Sequence, residues 1–246
     1  MYQLAKAFLK IFFRNYRALF FVLVMQAAIY IIISYLGIDN IIRFNGAGSY
    51  QQYLLPGILA LSLMQLGIFN SGYAVIEMRR SGTLKRIAVT PLTPMRFLAA
   101  HLLARFVMGL MMAVILLLAG AILFDYQIGA GIWLLPFLIF LGLMLFLNFG
   151  YIIASLARDY EDAAPATAII NMVFMFLGDV FFPTRFLPPY FGAIADFLPM
   201  KPLSSMMRQS LSGEGSVTAG AVVVLLAWLI ITTAVAFRVF AKKAYK

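Results

Sequence analysis

Nothing restricts what this chain can fold into more than the length of its apolar runs. The hydrocarbon core of a bilayer is about 30 Å thick and takes about 20 residues of helix. Six runs approach or exceed that length: Ala18–Leu36, Tyr53–Ile76, Phe97–Phe124, Ile132–Leu156, Ala166–Phe182 and Ala219–Phe240. In lipid each backbone N–H and C=O must bond within its own segment, so each run is expected to be a helix. The fifth is the shortest. Thr93 and Pro94 read as the N-cap and first residue of the third, because proline there gives up no hydrogen bond. Charged residues are 11% of the chain, against about 25% in a soluble domain. The predicted class is an all-α integral membrane protein with six transmembrane helices. No repeat or low-complexity linker divides residues 1–246, which read as one membrane domain.

The distribution of charge sets the expected orientation. Lys6, Lys10, Arg14 and Arg17 precede the first run, and Arg79, Arg80, Lys85, Arg86 and Arg96 follow the second. Arg158 follows the fourth, and Arg238, Lys242, Lys243 and Lys246 close the chain. The alternate loops carry fewer cations. Both termini and the even-numbered loops are therefore predicted to be cytoplasmic. The net charge of +10 sits at the ends of apolar runs, which suits anionic lipid and argues against nucleic acid. Within residues 1–17, Lys6, Lys10, Arg14 and Arg17 form one basic stripe opposite Leu4, Phe8, Ile11 and Phe12. That pattern predicts an amphipathic helix in the membrane interface; a simple positive anchor for the first run fits equally well. No cleavable leader is expected, because Ala18–Leu36 is longer than a signal core.

Catalytic chemistry has little to stand on. There is no cysteine and one histidine, His101, with no metal-ligand spacing around it. No P-loop and no GxSxG elbow occur, so the chain is expected to be neither an ATPase nor an esterase. His101 and Arg105 share a helix face, with Glu77 as a candidate partner for the arginine in a polar relay. A snorkelling arginine beside a bystander histidine is the plainer reading. Gln26, Gln65, Asn70, Asn148, Asn171 and Asp179 lie inside or at the ends of runs, where interhelical hydrogen bonds are their ordinary use. The functional reading makes Gln65, Asn70, Asn148, Asn171, Met175, Phe181 and Phe182 a mostly apolar substrate path.

Two segments fit neither a span nor a plain loop. Residues 183–207 are apolar but broken by prolines. They are predicted to form a broken or re-entrant element in the outer leaflet, or a short interfacial helix over Tyr190–Phe197. Glu77–Pro94 is a charged insert in which Gly82 and Thr90-Pro91 frame a short helix. Leu84, Ile87 and Ala88 are spaced to give it an apolar face. A membrane protein that builds a basic helix on one face is expected to dock something there.

At this point the residues resemble a family. The pattern E-x-x-R-x-G-T-L…T-P-L-T-P within Glu77–Pro94 looks like the first cytoplasmic loop of type-2 ABC exporter permeases. Phe182-Pro183, Leu187-Pro188, Leu198-Pro199, Pro202 and Arg208 resemble the last extracellular segment of the same family. The resemblance covers essentially the whole chain. It implies a dimeric unit, of identical or different permease subunits, in a bacterial inner membrane. Two soluble ABC ATPase subunits would bind ATP and magnesium, leaving this chain without a cofactor. It also implies that residues 79–89 are the coupling helix, with Arg79, Arg80, Gly82, Thr83, Leu84, Lys85, Arg86 and Ile87 facing the ATPase. Asp159 and Glu161 would make a second contact. Many relatives carry an acidic residue where this chain has Lys85, so a more acidic partner surface is implied. The cargo so implied is a lipophilic compound such as a drug, antibiotic or lipid. A lipid-linked polysaccharide, a non-transporting assembly subunit and a secondary transporter are the alternatives; the last would normally show buried acids for ion coupling.

Overall fold

The computed structural model describes residues 2–14, 20–36, 49–88, 94–212 and 219–243. Every regular element among them is helical. In chain order these are α1 (Tyr2–Arg14), α2 (Met25–Tyr35, entered by a wide turn over Phe20–Val24) and α3 (Tyr50–Arg80). Then come α4 (Thr83–Ala88), α5 (Pro94–Phe124), α6 (Leu135–Leu156) and α7 (Tyr160–Leu177). The chain continues through α8 (Pro189–Phe197), α9 (Met200–Ser212) and α10 (Ala219–Lys243).

Four of the described helices are long and apolar enough to cross a membrane: Tyr50–Arg80, Arg96–Phe124, Ala130–Leu156 and Ala219–Val239. They correspond to the second, third, fourth and sixth apolar runs. Of the first run, Met25–Tyr35 is a shorter apolar helix, and Ala18 and Leu19 lie outside the described residues. The fifth run differs in its bounds. Its helix starts at Tyr160, not Ala166, because Asp159 caps it by accepting from the Asp162 N–H at 3.0 Å. It ends at Leu177, short of Phe182, where Gly178 leaves helical geometry and Asp179 takes a φ of +59°.

Helix α3 is the axis of the fold. Its most apolar window is 83% buried, against 17% for that of α10. It packs on α5, α6 and α9, while α10 lies against α6. The approach to α6 is close enough to be set by glycine. A Cβ on Gly150 would stand 2.5 Å from the Gly67 carbonyl oxygen, and a Cβ on Gly67 would stand 2.6 Å from the Phe146 Cβ. Beside that contact α3 widens into a π-turn over Leu66–Ser71, where the Ser71 hydroxyl donates to the Leu66 carbonyl at 2.9 Å. Such wide turns recur where a helix re-aims side chains.

The proline-broken segment resolves into a turn at Thr184–Phe186, then α8 and α9. Helix α8 covers the stretch Tyr190–Phe197. The rest of the segment is the start of α9, which runs past Met207 to Ser212 and packs on α3. One buried cluster holds α3, α7 and α9 together. Arg208 donates to the Asp179 carboxylate at 3.1 Å and to the Asp179 carbonyl at 2.9 Å. Its guanidinium lies 3.8 Å from the centre of the Tyr53 ring. The other Asp179 carboxylate oxygen accepts the Thr184 N–H at 2.6 Å, and Tyr53 donates its hydroxyl to the Asp179 carbonyl at 3.0 Å.

Helix α1 lies on α5. Lys6, Lys10 and Arg14 are exposed, as the basic stripe requires, and half-buried Phe8 meets Phe97 edge-on with ring centres 5.6 Å apart.

Candidate functional site

The short helix in the charged insert exists, but it is narrower than residues 79–89. Arg79 and Arg80 are the last turn of α3, and the chain breaks at Ser81-Gly82 before α4 begins at Thr83. Gly82 makes the break possible: its φ is +70°, a region that L side chains enter only at a cost of roughly 1–2 kcal/mol. Its N–H caps the Arg79 carbonyl at 3.1 Å, and its own carbonyl accepts from Arg86 N–H at 3.1 Å. Ser81 and Thr83 share a hydroxyl hydrogen bond of 2.8 Å across it. Val89 lies outside the described residues, as do the side chains of Lys85 and Ile87.

The side chains of this insert divide in a way the sequence did not suggest. Arg79 does not project outward. It donates to the carbonyls of Ala154 at 2.9 Å, Ala157 at 2.5 Å and Arg158 at 3.0 Å. These are orphan acceptors at the C-terminus of α6, where a cation is favoured by the helix dipole. Leu84 is 6% exposed and belongs to the chain's own core, so it is not part of a free apolar face. Arg80 and Arg86 remain exposed.

The turn after α6 is tied to the same place. Arg80 lies over the Tyr160 ring at 5.6 Å, and the Tyr160 hydroxyl donates to the Glu77 carboxylate at 2.5 Å. Tyr73 meets Tyr160 edge-on at 5.6 Å and shares a 3.2 Å hydrogen bond with Thr167. Asp159 is occupied as the cap of α7, whereas Glu161 is exposed. The end of α3 and the start of α7 are therefore one bonded unit, with α4 as its outward projection.

Glu77 is thus a partner of Tyr160, and Arg105 bonds elsewhere. Arg105, 7% exposed, donates Nε–H to His101 Nε2 at 3.3 Å. It also reaches Asn70 Oδ1 at 3.5 Å and the Met108 sulfur at 3.3 Å. Because His101 Nε2 accepts, Nδ1 carries the ring proton and donates to the Tyr151 hydroxyl at 2.6 Å. His101, 1% exposed, also lies against Phe8 of α1 at 5.1 Å between ring centres. The expected relay is really a buried network joining α1, α3, α5 and α6.

Three of the expected path residues meet. Gln65, Asn70 and Asn171 line one cavity of about 320 Å³ with Gln26, Ser62, Leu66 and Phe69. The π-turn explains the grouping, since it carries Leu66, Phe69 and Asn70 on one side of α3. Gln26 of α2 donates to Gln65 across the cavity wall. Asn148 is not there: its amide donates to Thr233 at 2.8 Å and Thr232 at 3.5 Å, tying α6 to α10 in the ordinary interhelical manner. Met175 and Phe181 are half-buried and Phe182 is exposed, and none lines the cavity. The Phe181 carbonyl instead accepts the Tyr50 hydroxyl at 3.1 Å.

Comparison with known proteins is consistent across the chain. The family model described as ABC-2 family transporter protein matches residues 6–242. YvfS of Bacillus subtilis (strain 168), named as a transport permease, is 25% identical over 184 residues, 74% of each chain. YbhS of Escherichia coli (strain K12), named as a multidrug ABC transporter permease, is 23% identical over 197 residues. That match takes in 79% of this chain but only 51% of YbhS. The inner membrane transport permease YadH of the same strain is 21% identical over 182 residues, 72% of this chain and 71% of YadH.

Proposed function

The chain belongs to the ABC-2 family of transporter proteins, and from that premise we propose that it is the transmembrane subunit of an ATP-driven exporter. It carries a lipophilic compound outward across a bacterial inner membrane. Membership of this family implies association with ABC ATPase partners. Here those partners are separate soluble subunits that bind ATP and magnesium and act on a pair of permease subunits.

The observation that carries this reading is the joint between α3 and α7. A plain connecting loop needs no such brace. Arg79 fastens the end of a buried central helix to the end of α6, Tyr160 fastens it to the start of α7, and α4 follows from that point with Arg80 and Arg86 exposed. Closure of ATPase subunits against α4 therefore displaces two membrane helices together. That biases the equilibrium between inward- and outward-facing states, as a coupling device must. The cavity of Gln65, Asn70 and Asn171 lies on the same central helix and receives the cargo.

The test is co-reconstitution of the chain with its ATPase in liposomes. Hydrolysis should rise with the complex and be absent from the permease alone. Arg86→Glu should cut co-purification of the ATPase at least about tenfold, the effect expected when a like charge meets a complementary interface, while membrane insertion is unchanged. Normal coupling in that variant would remove α4 from the mechanism.

The six-span arrangement makes a second, independent claim. Cysteines placed at Lys6, Lys85 and Lys246 should resist impermeant thiol reagents in intact cells, and cysteines at Asn45 and Gly213 should react. External labelling at Lys85 would invert the orientation and end the coupling reading.

A further inference from the structure

Helices α6 and α10 lie against each other, but a second cavity, of about 720 Å³, opens between them and α9 near the end at which both begin. Helix α9 forms its floor. A Cβ on Gly131 would stand 2.8 Å from the Ser210 carbonyl oxygen, and one on Gly142 would stand 2.8 Å from Leu203 Cδ2. Helix α9 therefore runs antiparallel along the first half of α6. Two bonds tie the helices at the outermost point. The Ser210 hydroxyl donates to the Gly131 carbonyl at 2.7 Å, and the Gly129 N–H donates to the Leu211 carbonyl at 2.5 Å.

The lining sorts by depth. Buried Leu138, Met206 and Leu225 make the back wall, and exposed Phe137, Val222 and Leu226 make the rim. No charged side chain borders the cavity. Apart from the Trp133 indole, its polar side chains are Gln209 and Ser210, both at the tied end. A space so apolar does not hold water, which needs several polar partners. Along α6 the lining reaches from residue 130 to residue 141. That is about 17 Å of helix, close to the depth of one leaflet at about 15 Å. The rim continues into the exposed apolar surface of the two spans at Phe140 and Val223, where the chain meets the bilayer.

We propose that this cavity is a resident-lipid site. It holds one acyl chain of a phospholipid from the leaflet in which α6 and α10 begin, the outer leaflet in the orientation read from the basic loops. The chain lies against Leu138, Met206 and Leu225, and fills the gap between α9 and the first turns of α10. The Gln209 carboxamide stands at the tied end, at the level of the ester linkages, and can donate to an ester carbonyl. Packing holds the chain in place, since a lipid tail is no less apolar than the side chains around it. Without it the back wall would forfeit its dispersion contacts on one side, and bulk lipid is the apolar material at hand to restore them. The proposal needs α6 and α10 to span a bilayer; it is independent of the cargo, the ATPase and the direction of transport.

The experiment uses the purified full chain in vesicles of phosphatidylethanolamine and phosphatidylglycerol. They are doped with a phosphatidylcholine that carries a diazirine midway along one acyl chain. After irradiation, adducts are assigned to residues by peptide mass spectrometry. Met206 and Leu138 are buried, so passing bilayer lipid does not reach them, but a chain inside the cavity does. Their adduct yields should come within about threefold of that at exposed Ile230, as direct van der Waals contact requires. Met207, buried one residue further along α9 and outside the cavity, should stay unlabelled. Val222→Trp and Leu226→Trp, which fill the rim, should each cut the Met206 adduct at least about tenfold, since a close-packed site has no room for both ring and chain. Val222→Leu should keep it. Undiminished labelling at Ile230 shows that a variant is folded and inserted. A wild-type chain labelled at the rim but bare at Met206 and Leu138 would overturn the proposal, whether the cavity is empty or covered by a second permease subunit. So would a Met206 adduct that survives both tryptophans. None of these results touches the export reading, which stands or falls on ATPase coupling.

Discussion

Arg208→Ala should lower stability by about 3–5 kcal/mol, the range for removing one partner of a buried ion pair. The expectation rests on what is stranded. Asp179 is 9% exposed, and without Arg208 its carboxylate loses its cationic partner while keeping the Thr184 N–H on one oxygen. The Asp179 carbonyl loses its charged donor and retains the Tyr53 hydroxyl. Tyr53 loses the cation stacked on its ring. The cluster also ties three helices at positions distant in sequence, so there is no local structure to fall back on. In detergent the unfolding midpoint should fall by about 10 °C, taking a few degrees per kcal/mol for a chain of this size. Asp179→Asn should cost less, because an amide oxygen still accepts from Thr184 and Arg208 can turn toward Tyr53. A midpoint within 2 °C of wild type in Arg208→Ala would mean the pair is solvated and the two outer elements are held by packing alone.

Gly150→Leu should abolish accumulation of folded protein, and Gly150→Ala should already destabilise it by about 1–3 kcal/mol, the usual cost of overpacking. The reason is backbone. The nearest atoms to an added Cβ are the carbonyl oxygens of Gly67 and Ile68 and the Gly72 nitrogen, at 2.5, 3.2 and 3.3 Å. No flexible side-chain end can swing away, so α3 and α6 must separate. Separation at that level would also draw the π-turn from its place and disturb the cavity. Size-exclusion profiles would report it. If Gly150→Leu were monodisperse, α3 and α6 could not approach each other as closely as the Gly67–Gly150 contact requires.

The sequence was most legible where one physical requirement dominated. Span length predicted six helices, of which four stand as long apolar helices among the described residues, and proline at a first helical position predicted where α5 begins at Pro94. The four-residue step of Lys6, Lys10 and Arg14 predicted the exposed face of α1. What it did not reveal depended on the register between helices. The insert announced a helix, yet Leu84 faces the chain's own core, and composition is blind to that choice. Arg79 counted as a surface cation because its acceptors, the last carbonyls of α6, belong to backbone and carry no residue signature. Asp159 carries a readable signal, an aspartate three residues before Asp162 at the head of a run, and it caps α7. Gln26 joined the cavity only once α2 was placed beside α3. The π-turn that gathers Gln65 and Asn70 leaves no pattern in an apolar stretch at all.

The joint at Gly82 has a mechanical meaning. On one side of it Arg79 is clamped by three carbonyls, so the end of α3 is a fixed point. On the other side α4 is attached through a residue with no side chain and nothing within 4 Å of where one would be. Yet α4 is not loose: Leu84 sits in the core, and hydrogen bonds between Ser81 and Thr83 and from the Arg86 N–H to the Gly82 carbonyl span the joint. Under the coupling reading, a push on α4 would pass as through a short rigid lever into the end of α3, and the Arg79 clamp would share it with the end of α6.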